Sequence, residues 1–184
     1  MERESPASPP TAFTEPTTNA QGACSLGSVS QNDATTPMKT LVLGLGNDLL
    51  ADDAVGVLAA HELQSQLQGR ADVVASALHG LALLDLFIGY DRAIIIDAIQ
   101  TGQHPPGAII EISAADLSHV YAPSPHYAGL PEMLDLAKQL GLTFPQNLTI
   151  LAIEVADMHT VGGPLTPAVR QAIPALCLRV HQAL

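Results

Sequence analysis

Carboxylate side chains that could bind a cation stand at two separate places in the chain. The pair Asp52-Asp53 follows a short turn after an apolar strand pattern, and Asp97 ends the strand pattern Ile94-Ile95-Ile96, where burial normally selects another aliphatic residue. Open α/β sheets bind ligands in the crevice beyond the carboxyl ends of their strands. We therefore expect both carboxylates to face one crevice, where a bound cation would offset the repulsion between the two charges.

The third candidate ligand is His126, which lies in a loop directly after Pro123 and Pro125, and these prolines are expected to hold it in place. Two carboxylates with one imidazole form a donor set that suits Zn, Ni, Mn or Fe and leaves coordination positions open for a substrate. The residue types therefore predict a metal site at Asp53, Asp97 and His126, with the identity of the metal left open.

The adjacent residues Asp52 and Asp53 are expected to have different roles. Asp52 stands immediately before a helical pattern and suits an N-cap, whose carboxylate accepts hydrogen bonds from the first free N–H groups and contributes about 1 kcal/mol. Asp53 is then the member of the pair that remains for the crevice. We predict a cap at Asp52 and a ligand at Asp53.

Several common catalytic motifs are excluded. Gly44 and Gly46 follow a strand as in a dinucleotide-binding loop, but the third glycine position holds Leu49 and the second strand ends without an acidic residue. The chain has no Gly-x-Ser-x-Gly elbow and no GxxxxGK[ST] loop, which excludes the commonest serine hydrolases and P-loop proteins. His61-Glu62 begins like the HExxH zinc motif, but position 65 is Ser.

The elements that must position these residues alternate between strands and helices. The apolar pattern predicts strands at 40–45, 72–78, 92–97 and 147–154, with an antiparallel edge strand at 108–112. It predicts helices at 52–67, 81–88, 130–140 and from 166 onward, with Pro174 either kinking the last helix or starting a second segment. The expected fold is α/β and three-layered, with a mostly parallel twisted sheet and helices on both faces.

Residues 1–37 differ in composition from residues 38–184, which we take as the folded domain. The first segment holds five of the fourteen prolines and eleven Ser or Thr residues, but its large apolar side chains other than Met1 are only Phe13, Leu26 and Val29. Such a segment buries too little apolar surface to offset its ordering entropy, so we predict a disordered tail. It is either an upstream extension before a domain start at Met38 or a regulatory arm.

Charge and composition restrict the class of partner. The net charge of −11 argues against a nucleic-acid or anionic-membrane surface, because both require clustered Lys and Arg. The two cysteines lie far apart and form no zinc-finger or disulfide framework, and the chain shows neither a signal-peptide pattern nor a membrane-spanning apolar run. A cytoplasmic protein is expected.

Taken in order, the motifs of this chain resemble those of the hydrogenase maturation endopeptidases, over essentially all of residues 40–184. The motifs that carry the resemblance are Leu43-Gly44-Leu45-Gly46-Asn47 with Asp52-Asp53 and Gly56, Ile96-Asp97-Ala98, Pro106-Gly107, Ser124-Pro125-His126 with Gly129-Leu130, Phe144-Pro145, and Gly163-Pro164-Leu165-Thr166. Many members have an Asp-Gly-Gly-Thr stretch after the second strand, where this chain has Ala75-Ser76-Ala77-Leu78. We expect this segment to border the crevice, so the difference concerns which substrate protein the chain recognises.

The resemblance implies a peptidase that removes the C-terminal peptide of a [NiFe] hydrogenase large-subunit precursor once nickel has been inserted. The nickel-contacting positions of the family fall on Asp53, Asp97 and His126, and the nickel is expected to be carried by the precursor rather than to be resident. A water molecule, activated by a carboxylate of Asp53 or Asp97 or polarised through the metal, would attack the peptide bond, as in an aspartic-type endopeptidase.

Two other functions use the same three residues. One is a non-catalytic nickel carrier or chaperone for hydrogenase assembly, which would hold a resident metal and cleave no precursor. The other is a small-molecule hydrolase with a constitutive metal, which would hydrolyse simple peptides or esters.

Overall fold

The computed structural model describes residues 38–113, 124, 126 and 130–184 of the chain. The predicted disordered tail, residues 1–37, lies outside the described residues. The described part contains five strands and four α-helices, which alternate as the sequence predicts. Their bounds are β1 Thr40–Leu45, α1 Val55–Gln66, β2 Asp72–Ser76, α2 Leu84–Phe87, β3 Arg92–Ile99, β4 Ile109–Ser113, α3 Leu130–Gln139, β5 Asn147–Glu154 and α4 Pro167–Ala183.

The five strands form one sheet in the order β2-β1-β3-β5-β4. β1 pairs in parallel with β2 and β3, β3 pairs in parallel with β5, and β4 lies antiparallel to β5 at the edge, as predicted. β1 and β3 are interior strands, which explains why both are continuous apolar runs. The chain changes direction across the sheet between β1 and β3, and this is the position where open α/β sheets bind ligands.

Helices cover both faces of the sheet and give it two core layers. Successive strand residues face opposite sides, so Leu43 and Ile95 belong to one buried cluster while Val42 and Ile94 belong to the other. The first cluster contains apolar residues of α2 and α3, and the second contains those of α1 and α4. The three-layer α/β fold predicted from the sequence is therefore confirmed. No helix in the described ranges combines the length and apolar character that crossing a membrane requires.

The central strand β3 is longer than predicted. It continues through Asp97 to Ile99, so the prediction that Asp97 ends the strand is wrong. The reason is that β5 pairs with β3 as far as Ile99, whereas β1 pairs with it only as far as Ile96. Asp97 is the first residue of β3 beyond its pairing with β1 and lies level with Leu45, the last residue of β1. This register still leaves its side chain at the carboxyl ends of the inner strands.

Smaller differences affect β2, the second helix and Pro174. β2 ends at Ser76 rather than Leu78, and the predicted helix at 81–88 is a 3₁₀ turn, Gly80–Leu83, followed by α2. Pro174 lies inside α4, which runs without interruption to Ala183, so it does not start a second segment.

Two glycines hold α1 close to the sheet. A Cβ atom on Gly56 would overlap the carbonyl oxygen of Leu45 in β1 and lie 2.6 Å from that of Ile96 in β3. A Cβ atom on Gly44 would overlap the carbonyl oxygen of Gly56 and lie 2.6 Å from the Cβ of Ala60. Only hydrogen atoms fit at these two positions, and the resulting close packing places the segment before α1 at the end of β1 and β3.

Candidate metal centre

Asp53, Asp97 and His126 lie together at the carboxyl ends of β1 and β3. Each side chain offers one potential ligand atom, and these atoms all lie within 4.8 Å of one another. The three side chains come from a 3₁₀ turn before α1, from β3 and from the segment that precedes α3. All three are buried, with relative exposures of 5%, 0% and 6% in chain order. The structure thus brings together every residue of the predicted metal site.

Asp53 is held by one oxygen and leaves the other without a partner. Its Oδ2 accepts a hydrogen bond from the backbone N–H of Asn47 at 2.9 Å. Its Oδ1 is buried and has no hydrogen-bond partner in the part of the chain that the structure describes. Burial raises the pKa of Asp53, the Asn47 N–H and the charge of His126 oppose this, and the charge of Asp97 adds a smaller increase. An unpartnered carboxylate oxygen at this depth is costly unless a cation or a proton joins it.

Asp97 and His126 form a buried hydrogen-bonded pair. Nδ1 of His126 lies 3.2 Å from each carboxylate oxygen of Asp97, and Oδ1 of Asp97 also accepts the N–H of Ala98 at 2.8 Å. Burial alone would lower the pKa of His126, but the hydrogen bond and charge of Asp97, with the charge of Asp53, raise it above the ordinary value. The surroundings of His126 therefore favour the protonated imidazole.

Ser124 joins the two members of this pair. Its Oγ lies 2.7 Å from Oδ2 of Asp97 and 3.1 Å from Nδ1 of His126, and it accepts the backbone N–H of His126 at 3.3 Å. The side chain is 1% exposed. The sequence motif Ser124-Pro125-His126 includes this residue but gave it no role, because its partner Asp97 lies 27 positions away.

Asp52 does not cap the helix that follows it, so that prediction is wrong. Neither the 3₁₀ turn Asp52–Ala54 nor α1 has a side-chain cap. The carboxylate of Asp52 instead accepts hydrogen bonds from the N–H of Ala156, the N–H of Asp157, and both the N–H and the hydroxyl of Thr166, at 2.6–3.1 Å. Fully buried, Asp52 ties the Asp53 turn to the end of β5 and to the start of α4.

Backbone groups of the same distant segment also support the Asp53 turn. The N–H of Ala51 donates to the carbonyl of Thr160, and the N–H of Asp52 donates to the carbonyl of Asp157. These bonds give the two N–H groups at the start of the turn backbone partners. Only the folded chain brings residues 156–166 next to residues 51–54, so the sequence carries no local signal for this arrangement.

The turn after β1 approaches Asp53 closely, and this contact requires glycine at position 46. Gly46 has a φ angle of 148°, and a Cβ atom there would overlap the carbonyl oxygen of Asp53. A cavity of about 240 Å³ lies beside this turn and is lined by Gly46, Asp48, Val57, His61 and residues 75–77. Residues 75–77 of the segment predicted to border the crevice therefore line a cavity beside the turn that contains Gly46.

The donor set fits a divalent transition metal. Two carboxylates and one imidazole at this separation supply three ligands on one side and leave the remaining coordination positions to another molecule. The unpartnered Oδ1 of Asp53 is the observation that favours a cation here over a self-contained hydrogen-bond network.

Comparisons with known proteins agree on one family. The sequence model described as hydrogenase maturation protease matches residues 57–183. The hydrogenase expression/formation protein HupD of Rhizobium leguminosarum bv. viciae is 32% identical over 141 residues, which cover 74% of this chain and 69% of HupD. The hydrogenase 2 maturation protease of Escherichia coli strain K12 is 31% identical over 150 residues, which cover 76% of this chain and 91% of that protein.

The solved structures lead to the same family. The structure of the hydrogenase maturating endopeptidase HybD from E. coli aligns with a TM-score of 0.69 and 30% sequence identity. The alignment covers 80% of this chain and 92% of HybD.

Proposed function

The chain belongs to the hydrogenase maturation protease family, and from that membership we propose that it removes the C-terminal peptide of a [NiFe] hydrogenase large-subunit precursor after nickel insertion. The observation that carries the proposal is the buried cluster of Asp53, Asp97 and His126, with its unpartnered carboxylate oxygen. Family membership supports a peptidase, and the cluster supports a peptidase that detects a metal. We expect the reaction in the cytoplasm, as predicted from the sequence.

The nickel belongs to the substrate in this proposal. A nickel ion held by the precursor gains ligands from the cluster when the two proteins meet, and the scissile peptide next to it is thereby placed against the carboxylates. Three ligand groups from one protein leave positions for the precursor's own ligands. A precursor without nickel lacks this interaction and is not positioned for cleavage.

Asp53 is the carboxylate best placed to act as the general base of an aspartic-type hydrolysis. Both oxygens of Asp97 are occupied by Ser124, His126 and Ala98, whereas Oδ1 of Asp53 is unpartnered among the described residues. The raised pKa of Asp53, caused mainly by burial, makes it a stronger base than an exposed aspartate. Asp53 takes a proton from the attacking water and returns it to the leaving amine, giving a new carboxylate on the large subunit and a free peptide.

The test is the processing of the large-subunit precursor encoded in the same genome, followed by intact mass. We expect the nickel-loaded precursor to lose its C-terminal peptide and the nickel-free precursor to remain whole. Asp97→Asn, which is nearly isosteric, should retain the wild-type circular dichroism spectrum and process neither form. Asp135→Asn, an exposed acid on α3, serves as the matched control and should process normally.

The same experiment separates the alternatives. Efficient cleavage of the nickel-free precursor in the presence of chelator would rule out a mechanism in which the peptidase detects the nickel. A tightly held resident metal without cleavage of either precursor would support a nickel carrier, and metal-dependent hydrolysis of simple esters would support a small-molecule hydrolase.

A further inference from the structure

We propose that the cavity between α1 and the start of α4 binds the C-terminal extension of the precursor, the segment that the peptidase removes, and that Arg170 pairs with a carboxylate of that extension. The inference deepens the proposed function and rests on it for the identity of the substrate. The cavity has a volume of about 700 Å³, and none of the three residues of the metal centre lines it. Ligand sites in proteins typically have volumes of about 300–1,000 Å³.

The cavity lies beside the turn that carries Asp53. Ala51 and Ala54, which flank the acidic pair of that turn, both line the cavity. Asp48 and His61 line this cavity and also the cavity of about 240 Å³ described above, so the two spaces adjoin. A peptide whose scissile bond is held against Asp53 therefore has further binding space on the same turn.

Apolar side chains form the floor and the rim of the cavity. Leu165 and Ile173 line it and also belong to the core layer under α1 and α4, so the fold fixes the floor. At the rim, Leu49 and Val161 are 64% and 76% exposed, on two segments that the N–H of Gly162 joins by donating to the carbonyl of Leu49. Large apolar side chains that are exposed together beside a cavity indicate a surface that a partner covers.

Arg170 supplies a positive charge to the cavity. It is the one Lys or Arg among the described residues that line it, and its guanidinium makes neither a hydrogen bond nor an ion pair within the described part of the chain. Arginine binds carboxylates through two parallel hydrogen bonds. Asp48 and Glu62 also line the cavity, and their carboxylates can accept N–H groups of a peptide backbone. This lining suits a peptide that carries a carboxylate of its own.

The extension fits this lining better than the folded body of the precursor does. A concave space of this size accepts an extended peptide, whereas a folded protein presents mostly convex surface. The extension also includes the chain end, so it carries at least one carboxylate whatever its sequence. The net charge of −11 disfavours a carboxylate over most of this protein's surface, and Arg170 offsets that repulsion in the cavity.

The first test measures binding without cleavage. Biolayer interferometry gives the affinity of the full chain for the nickel-free precursor and for the same precursor truncated at the processing site. We expect wild type to bind the complete precursor about tenfold more tightly or better, because the charge-assisted pair is lost with the extension. Arg170→Glu should lose most of this preference. Arg179→Glu, which changes another exposed arginine of α4, is the matched control and should keep it.

Arg170→Glu should fold normally. Arg170 is exposed and lies in the first turn of α4, where the helix dipole favours an acid over a cation, so we expect the wild-type melting temperature. Val161→Asp tests the apolar rim and should also reduce the preference for the complete precursor. Leu178→Asp, at a position 58% exposed on α4, is its control and should not.

The second test is kinetic. In the processing of the nickel-loaded precursor, Arg170→Glu should raise KM about tenfold and leave kcat nearly unchanged, because Arg170 contributes to binding and is not part of the metal centre. Arg179→Glu should keep both constants.

The outcomes distinguish this inference from the proposed function. Loss of the preference in Arg170→Glu but not in Arg179→Glu would support the inference even if no precursor is cleaved. A wild-type preference and a wild-type KM in Arg170→Glu would overturn it even if the precursor is processed normally. Equal loss in both arginine variants would indicate a general effect of charge and contradict a site at Arg170. Equal affinity of wild type for the complete and truncated precursors would exclude the extension as the occupant.

Discussion

At the scale of single residues, two adjacent aspartates have opposite electrostatic surroundings. Asp52 accepts four hydrogen bonds from the end of β5 and the start of α4, so its charge is well compensated. Asp53 accepts one and leaves Oδ1 unpartnered in the described part of the chain. One side chain holds the turn in place and the other is left available for a ligand.

Asp52→Ala should destabilise the protein by roughly 2–4 kcal/mol, well above the approximately 1 kcal/mol of a lost helix cap. The reason is that three backbone N–H groups and one hydroxyl lose a charged acceptor at once. Urea unfolding measures the change in the free energy of unfolding. Asp157→Ala is the control, because its half-buried side chain makes only local bonds to His159 and Thr160. A loss of 1 kcal/mol or less in Asp52→Ala would show that the four hydrogen bonds contribute far less to stability than their number suggests.

Asp53→Asn should raise the stability of the chelator-treated protein at pH 7. The folded-state pKa of Asp53 is raised above the ordinary 3.8, mainly by burial, so the stability this group contributes is present below pH 3.8 and is lost as the pH rises through the folded pKa. Asparagine carries no charge at any pH, and its carbonyl can still accept the N–H of Asn47. The advantage of the variant should therefore shrink as the pH falls towards 4.

Thermal unfolding between pH 4 and pH 8 checks this sign, with Asp135→Asn as the control for a lost exposed charge. A variant less stable than wild type at pH 7 would mean that the charge of Asp53 is compensated in the metal-free protein. That result would contradict the unpartnered Oδ1 seen among the described residues. Processing of the nickel-loaded precursor should be lost in the same variant.

At the scale of elements, the contact between α1 and the inner strands determines where Asp53 lies. Gly44 and Gly56 allow the helix backbone to approach β1 and β3 more closely than any side chain would permit. The turn before α1 is the segment that bonds to residues 156–160, so a shift of the helix would disturb both supports of the site.

Gly56→Ala should destabilise the protein by about 1–3 kcal/mol or more, because the added methyl group meets backbone atoms that cannot move aside. Displacement of α1 should also reduce Ni²⁺ binding and precursor processing, although residue 56 contributes no ligand. Leu58→Ala, on the partly exposed side of the same helix, is the control and should keep metal binding. Wild-type stability and binding in Gly56→Ala would show that the helix–sheet contact has room that the structure does not indicate.

At the scale of the whole chain, the sequence divides at about residue 38. Residues 1–37 contain only three large apolar side chains other than Met1, whereas residues 38–184 supply both core layers of the sheet. We propose that the first segment adds nothing to the stability of the domain, because it has too little apolar surface to bury.

Deletion of residues 1–37 should therefore leave the melting temperature and the processing rate unchanged. Differential scanning calorimetry of the full chain and of the truncated protein measures the first, and intact mass of the precursor over time measures the second. A melting temperature several degrees lower after truncation would contradict the prediction and indicate that the segment packs on the domain.

Local patterns in the sequence predicted most of the fold and the three residues that lie together in the buried cluster. Apolar runs and helical periodicity act over a few residues, and they predicted each strand and each α-helix that the structure describes. The errors lie at element boundaries and in two 3₁₀ turns, Asp52–Ala54 and Gly80–Leu83, that were predicted as α-helix. The α/β rule that ligands bind beyond the carboxyl ends of strands was enough to place Asp53 and Asp97 in one crevice, and His126 joined them as the third member.

Tertiary structure alone decided how those residues are held. The partners of Asp52 lie 104 to 114 positions away, so no local pattern could indicate that this aspartate is a structural anchor. Ser124 lies two positions from His126 but 27 positions from Asp97, so no local pattern could indicate that it joins the two. The extension of β3 past Asp97 depended likewise on where β1 ends and β5 continues. The free energy of a buried hydrogen bond depends on which groups the folded chain brings within reach and excludes from water, and this is settled only when the elements pack.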